Sequence, residues 1–514
     1  MKKLLLFFFS IIAYNSLNAQ TITFIDPFFK NKLLESSIDN LIAKNSQGDY
    51  FAIDANANNE IETAEALEVI ELNINNSSIT SLAEIAYFLN LEVLNCGYNT
   101  ISTLDVSQLA NLKSLNCSFN VINSLNLNNL TILEYLICSN NNLSNFVVSN
   151  LINLISLDCS YNQLQNININ NSENIESFYC NNNSLTALSI SFLNSLGRID
   201  CSNNQLTALN LETLVGLIDL KCDFNQLSTF DFTNLINLKF LYFSHNLFTT
   251  LNFTSYSTLE KIDCSNNLIS TLILQGANQL NELNCTSNRL VSLNLNSLNN
   301  LNYLYCNSNL FTSLDFSNLN LPLIVLSCND NQLTTLNIGN STSLQTIYCS
   351  NNQLSTLDLG NVSSLTSLFC SNNLLTSLYI KNGSNQENLV LSGNSNLSFI
   401  CADPSEIEFV NEMLNYYSIQ NCTVNSNCTL ETPNFEIPVA IKLFPNPASD
   451  FINFNIEPVE QVKSIEIYNL MGQLMQSIVN PTTTTLLISE FKKGLYFVNF
   501  QLEDKILSTK FIKE

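Results

Sequence analysis

The segment DANANNEIETAE sets oxygen-bearing side chains at positions 1, 3, 5, 7, 9 and 12, namely Asp54, Asn56, Asn58, Glu60, Glu62 and Glu65. Donors so spaced on a tight loop converge on a hard cation, and calcium takes roughly six to eight oxygens. Calcium is the only cofactor for which the sequence makes a case. Elsewhere, chemistry-bearing residues are sparse. There is one histidine, His245, no tryptophan and no C-x-x-C pair, and the carboxylates form no catalytic constellation. His245 stands in SHN, at a solvent-facing position. Enzyme chemistry is not expected.

The frame that positions these residues is periodic. Cys96, Cys117, Cys138, Cys159, Cys180, Cys201 and Cys222 recur every 21 residues, and Cys264, Cys285, Cys306, Cys328, Cys349 and Cys370 continue the series. Phe243 fills the one gap in register, and one extra residue falls between Cys306 and Cys328, near Pro322. A fixed period of this size means stacked units, each unable to bury its apolar face alone. Every unit reads L-x-x-L-x-C-x-x-N-x-L-x-x-L-x-L, with two alternations, L-x-C and L-x-L. Alternation of period two marks a half-buried strand. Two strands per coil predict two parallel sheets with steps of about 4.8 Å.

Three residues after each cysteine position stands an asparagine, from Asn99 to Asn373, in fourteen coils. A chain turning out of a strand leaves backbone N–H and C=O groups inside the coil, and Asn offers both a donor and an acceptor to them. The cysteines are expected to be buried, reduced thiols that pack as small apolar groups. Neighbours on parallel strands point the same way, which does not suit a disulfide torsion, and a phenylalanine at one rung suits packing better than ligation.

This pattern resembles the leucine-rich repeat, with Cys in place of one leucine, and its 21-residue unit resembles the bacterial IRREKO-type subclass. The resemblance covers residues 67–385 and implies a binding or scaffold protein. The segment Asp54–Glu65 is similar to an EF-hand loop, with Ile61 at the apolar position 8 and Asn59 where glycine is usual. That resemblance implies that Glu60 binds through its backbone carbonyl and Glu65 through both oxygens. Asp54, Glu62 and Glu65 then carry the charge, so affinity should be modest.

Both ends need covers. Residues 20–66 form the expected amino-terminal cap, with the calcium loop and an apolar-periodic stretch, FFKNKLLESSIDNLI, that suits a helix. Residues 386–430 form the expected closing cap, with a helix over EIEFVNEMLNYY and the only cysteines outside the series. One disulfide is expected there. Spacing does not choose among Cys401, Cys422 and Cys428; Cys401–Cys428 is preferred, leaving Cys422 over.

Residues 1–19, MKKLLLFFFSIIAYNSLNA, have the basic start, short apolar run and small final residue of a secretory signal peptide. A linker at 431–440 precedes residues 441–514, whose short alternating strands predict a small β-sandwich. There Pro445, Asn446, Pro447, Gly472, Gly494, Tyr496 and the terminal KFIKE resemble the C-terminal sorting domain of the type IX secretion system. The resemblance implies export through the Sec pathway and the periplasm to the outer surface or the medium, with the secretion machinery as a partner of 441–514. A net charge of −24 argues against nucleic acid and anionic membrane surfaces. No further apolar run is long enough to span a membrane.

The residues flanking the buried Leu and Cys of each unit must face outward on one sheet. Aromatics gather there, at Tyr179, Phe240, Tyr242, Tyr303, Tyr305, Tyr348 and Phe369. Exposed rings in polar surroundings suit stacking on sugars or anchoring a protein. The expected function is recognition of an extracellular protein or glycan, in adhesion. The alternative is a passive surface spacer in which the aromatics only ladder against one another.

Overall fold

The computed structural model describes residues 20–229, 233–319, 321–428, 441–455, 462–502 and 506–514. The expected signal peptide and linker lie outside them. The chain divides into two units, 1–428 and 429–514.

In the first unit the residues just before each of the fourteen cysteine positions form a three-residue strand, and these stack with Ala43–Lys44, Glu71–Asn73 and Asn388–Val390 into one 17-stranded sheet. From Glu71–Asn73 to Asn388–Val390 the strands are parallel and in register, so leucine meets leucine: Leu94 pairs with Leu115 and Leu115 with Leu136. Register is pinned because a slip of one residue would turn each buried leucine to solvent. The first edge is covered by Ala43–Lys44, which runs antiparallel to Glu71–Asn73. At the far edge the helix Ile407–Tyr416 packs against Asn388–Val390.

The second expected sheet is not continuous. The L-x-L segments pair in short pieces, such as Thr103–Asp105 with Ser124–Asn126 and Thr250–Asn252 with Thr271–Ile273. The last piece has four strands, Thr356–Asp358, Ser377–Tyr379, Phe399–Cys401 and Thr423–Asn425. Leu188, Ile190, Leu209 and Leu211 are still buried where no strand forms. Alternation reports which side chains face inward; it does not report whether neighbouring backbones bond.

The asparagines sit inside each corner. Asn225 Nδ2 donates to the carbonyls of Cys201, Cys222 and Asp223 at 3.1, 3.2 and 3.1 Å, and its Oδ1 accepts from Leu206 N at 2.9 Å. The residue before each asparagine, from Tyr98 to Asn372, has φ of 50–56°. The column continues to Asn394, which donates to Cys370 O and Leu391 O at 2.9 Å each. With Asn388–Val390 in the long sheet, the solenoid runs past residue 385, into the segment read as cap.

All thirteen series cysteines are buried and free. Burial pushes their thiols up, Cys117 and Cys370 to about 12. Phe243 fills its rung and meets Phe248 edge-on at 5.1 Å.

The amino-terminal helix spans only Pro27–Leu34. Asp26 caps it, accepting from Phe28 N at 2.8 Å, and ties it to the first coil by accepting from Thr80 N at 2.6 Å. The helix stops short of residue 42 because local side chains take over its last carbonyls. Ser36 Oγ donates to Leu33 O at 2.6 Å and Asn40 Nδ2 to Glu35 O at 2.6 Å. In the closing cap Cys401 and Cys428 form a disulfide, with Cα atoms 5.4 Å apart, and Cys422 is free.

The second unit is a sandwich of two antiparallel sheets. One has three strands, Lys442–Phe444, Phe451–Asn455 and Thr485–Leu487; the other has four, Leu474–Val479, Ser464–Asn469, Gly494–Gln501 and Ile506–Lys513. Phe454, Ile467, Val498, Phe500 and Phe511 belong to its own core.

Candidate binding face and cation loop

The outward residues of the long sheet form one continuous face. Pairing places Phe240 beside Lys261 and Tyr242 beside Asp263, and, three strands on from Phe240, Tyr303 beside Val325 and Tyr305 beside Ser327. Tyr179, Phe240, Tyr242, Tyr303, Tyr305, Tyr348 and Phe369 are all half-buried, with one side open to solvent. The rings are not equally available. Lys221 and Lys261 approach the Tyr242 ring at 5.5 and 5.6 Å, within cation–π range, and Tyr348 stacks on Phe369 at 4.6 Å.

Polar residues on this face also have local roles. Asp158, Asp200 and Asp263 each accept from the backbone N–H two residues on, at 3.0 Å, closing the turn out of the strand. Asp219 makes no such bond. Burial pushes its carboxyl above the usual range, against the pull of Lys221 and Arg198. Burial raises Asp223 too, although Ser244 N donates to it at 2.7 Å.

A second column of rings, on the corner before the asparagines, was not legible as an aromatic surface in the sequence. Tyr98 stacks on Phe119 at 4.3 Å and Phe224 on His245 at 4.0 Å. The signal was present in the Asn, Ser and Asp that other coils keep there, since those residues tolerate positive φ. His245 is thus an exposed corner residue whose ring stacks on Phe224.

In the loop of Asp54–Glu65 the donors fold toward one another. Asp54 accepts from Asn58 N at 3.1 Å and Asn59 N at 2.9 Å, and Glu65 accepts from Ala55 N at 2.9 Å and Glu62 N at 3.0 Å. The amides of Asn56 and Asn58 donate to Glu62 at 3.0 and 2.8 Å. Asn59 adopts φ of 62°, the turn conformation that glycine otherwise supplies. Glu60 turns its side chain away to pair with Lys30 at 2.7 Å. Ile61 is buried, and its carbonyl accepts from Ile22 N at 2.8 Å. Hydrogen bonds, first from Asn58, hold the Glu62 carboxyl low, whereas burial raises Glu65. Among the described residues, no three of His, Cys, Asp and Glu are gathered as metal ligands. Any cation would therefore depend on amide and backbone oxygens as well.

The solenoid defines the class: this is a leucine-rich-repeat fold. It is similar to the functional domain of InlJ from Listeria monocytogenes, a structure described as including a cysteine ladder, at 23% identity and a TM-score of 0.62, covering 97% of this chain and 99% of that one. It is also similar to a leucine-rich-repeat protein of Leptospira interrogans, at 22% identity and a TM-score of 0.54, covering 71% and 97% of the two chains. At these identities the likeness concerns the fold. No curated protein matches the sequence.

The second unit is more specific. Residues 442–514 match the secretion system C-terminal sorting domain. The chain is a leucine-rich-repeat protein marked by this tail for the cell surface or the outside. No helix among the described residues is long and apolar enough to cross a membrane.

Proposed function

We propose that the outward face of the long sheet binds an extracellular protein or glycan, in adhesion, and that the chain reaches the surface through the Sec pathway and the periplasm. What supports this reading is the register that sets Phe240, Tyr242, Tyr303 and Tyr305, partly open, on one unbroken face. Stacking on such rings and exclusion of water around them would supply the affinity. The protein works by binding and not by catalysis. The full chain, screened against polysaccharides and matrix proteins, should retain a ligand that a Tyr242→Ser, Tyr303→Ser, Tyr305→Ser variant loses at least about tenfold. Equal retention would place binding elsewhere. The spacer reading draws on the mutual stacking of Tyr348 and Phe369, and absence of any ligand would favour it.

Calcium belongs to the same proposal as a structural cofactor of the amino-terminal cap. Asp54, Asn56, Asn58, Glu62 and Glu65 would hold it with their side chains and Glu60 with its carbonyl. Saturating calcium should raise the thermal midpoint by a few degrees, corresponding to about 2–3 kcal/mol at a hundredfold excess over Kd. Glu65→Gln should remove the response, and an unchanged midpoint in the parent chain would dismiss the ion.

A further inference from the structure

Between Tyr179 and Phe240 the face changes from aromatic to ionic. Strand pairing sets Arg198 beside Asp219 and Asp200 beside Lys221, so opposite signs alternate both along and across the strands. Among the described residues none of these four closes into an ion pair, whereas Lys261 and Glu282, two strands further on, approach to 2.9 Å. Asp219 Oδ1 is buried without a hydrogen-bond partner. An acceptor left so in a folded protein is costly unless something else meets it.

These residues line a depression of about 220 Å³, with Tyr179 and Phe240 at its ends. That is less than the roughly 300–1,000 Å³ of a drug-sized pocket and suits one ring with its substituents. The charge pattern narrows the chemistry. An anion would meet Asp200 and Asp219, and a cation would meet Arg198 and Lys221. A neutral hydroxyl satisfies both kinds of group, donating to a carboxylate while accepting from a guanidinium or an ammonium. Tyr179 and Phe240 offer carbon surfaces to a ring lying between them.

We propose that this depression binds one sugar ring of a neutral glycan, with ring hydroxyls donating to the carboxylates of Asp200 and Asp219 that line it. The assignment rests on the reading of the long sheet as a binding face. Arg198 and Lys221 then fix the orientation of the ring, and Tyr303 and Tyr305 lie outside this subsite.

The test is calorimetric titration of the full chain with four neutral tetrasaccharides, of β-1,4-glucan, β-1,3-glucan, β-1,4-mannan and α-1,4-glucan. At least one should bind, and Asp219→Asn should weaken it by about tenfold to a hundredfold. The thermal midpoint of Asp219→Asn should not fall, because the substitution removes a buried charge. Arg198→Met should weaken binding in the same direction. Unchanged binding in Asp219→Asn, or no binding by any of the four, overturns the subsite. If a protein ligand still binds through Tyr303 and Tyr305 while no tetrasaccharide does, only the sugar assignment falls. If neither binds, the face reading falls with it.

Discussion

A chain lacking residues 442–514 should fold normally and fail to leave the cell. The second unit has its own core, built on Phe454, Phe500 and Phe511, separate from that of the solenoid. Each unit buries its own core, so the thermal midpoint of the solenoid should be unchanged. Export is a different matter, because the only segment matched to a sorting function is 442–514. Cell fractionation should find essentially all the shortened protein retained, against a parent found at the surface or in the medium. Grafting the tail onto a passenger protein gives the converse measurement. Continued export of the shortened chain would reduce the sandwich to an accessory domain.

The second large effect concerns the asparagine column. Asn225→Asp keeps size and shape but should destabilise more than Asn225→Ala. The carbonyl of Cys201 accepts from both Asn204 and Asn225, and that of Cys222 from both Asn225 and Asn246. Truncation to alanine therefore leaves each carbonyl one donor and strands only the N–H of Leu206, at a cost of about 2–3 kcal/mol. Aspartate instead aims a carboxylate at three carbonyl oxygens in a buried corner, and an uncompensated buried charge costs about 3–5 kcal/mol. Burial raises the folded-state pKa of that carboxyl above its unfolded value. Its charged form is penalised at neutral pH, so the lost stability should return as pH falls toward the unfolded pKa, near 4. Denaturant melts at pH 7 and pH 5 would show it. A Cys222→Ala variant should cost only about 1 kcal/mol at both pH values. Equal behaviour of the aspartate and alanine variants would mean that shape, and not the donor, is what the corner needs. Hydrogen exchange should localise the damage to the coils around Asn225, since coils touch only their neighbours.

Periodicity made most of the solenoid legible, because each coil solves the same burial problem with the same residues. Legibility failed where a coil solved it differently. Asn394 keeps its corner role, but Leu391 stands where the series has cysteine, so a further coil read as cap. The helix ended at Leu34 because Ser36 and Asn40 compete for its carbonyls, which apolar spacing does not reveal. On the face, alternation placed Phe240, Tyr242, Tyr303 and Tyr305 correctly on one side. It did not show that Lys221 and Lys261, from strands on either side, approach the Tyr242 ring. Nor did it show Asp219 held with an unmet oxygen: Arg198, Asp200, Asp219 and Lys221 are 23 residues apart from first to last and look scattered until the coils stack.

The Cys401–Cys428 bond has a mechanical consequence. A stack bound only from coil to coil does not share a load; tension applied to its ends peels it one turn at a time, each turn paying out slack at a similar force. Were the protein tethered by the chain beyond Cys428, the pull would pass from Cys428 straight to Cys401. The helix Ile407–Tyr416 and the strand Thr423–Asn425 lie within the bridged loop and would carry no tension. The stack is thus crimped at one end like a cable in its ferrule, and stretching would begin elsewhere, in the coils upstream of Cys401.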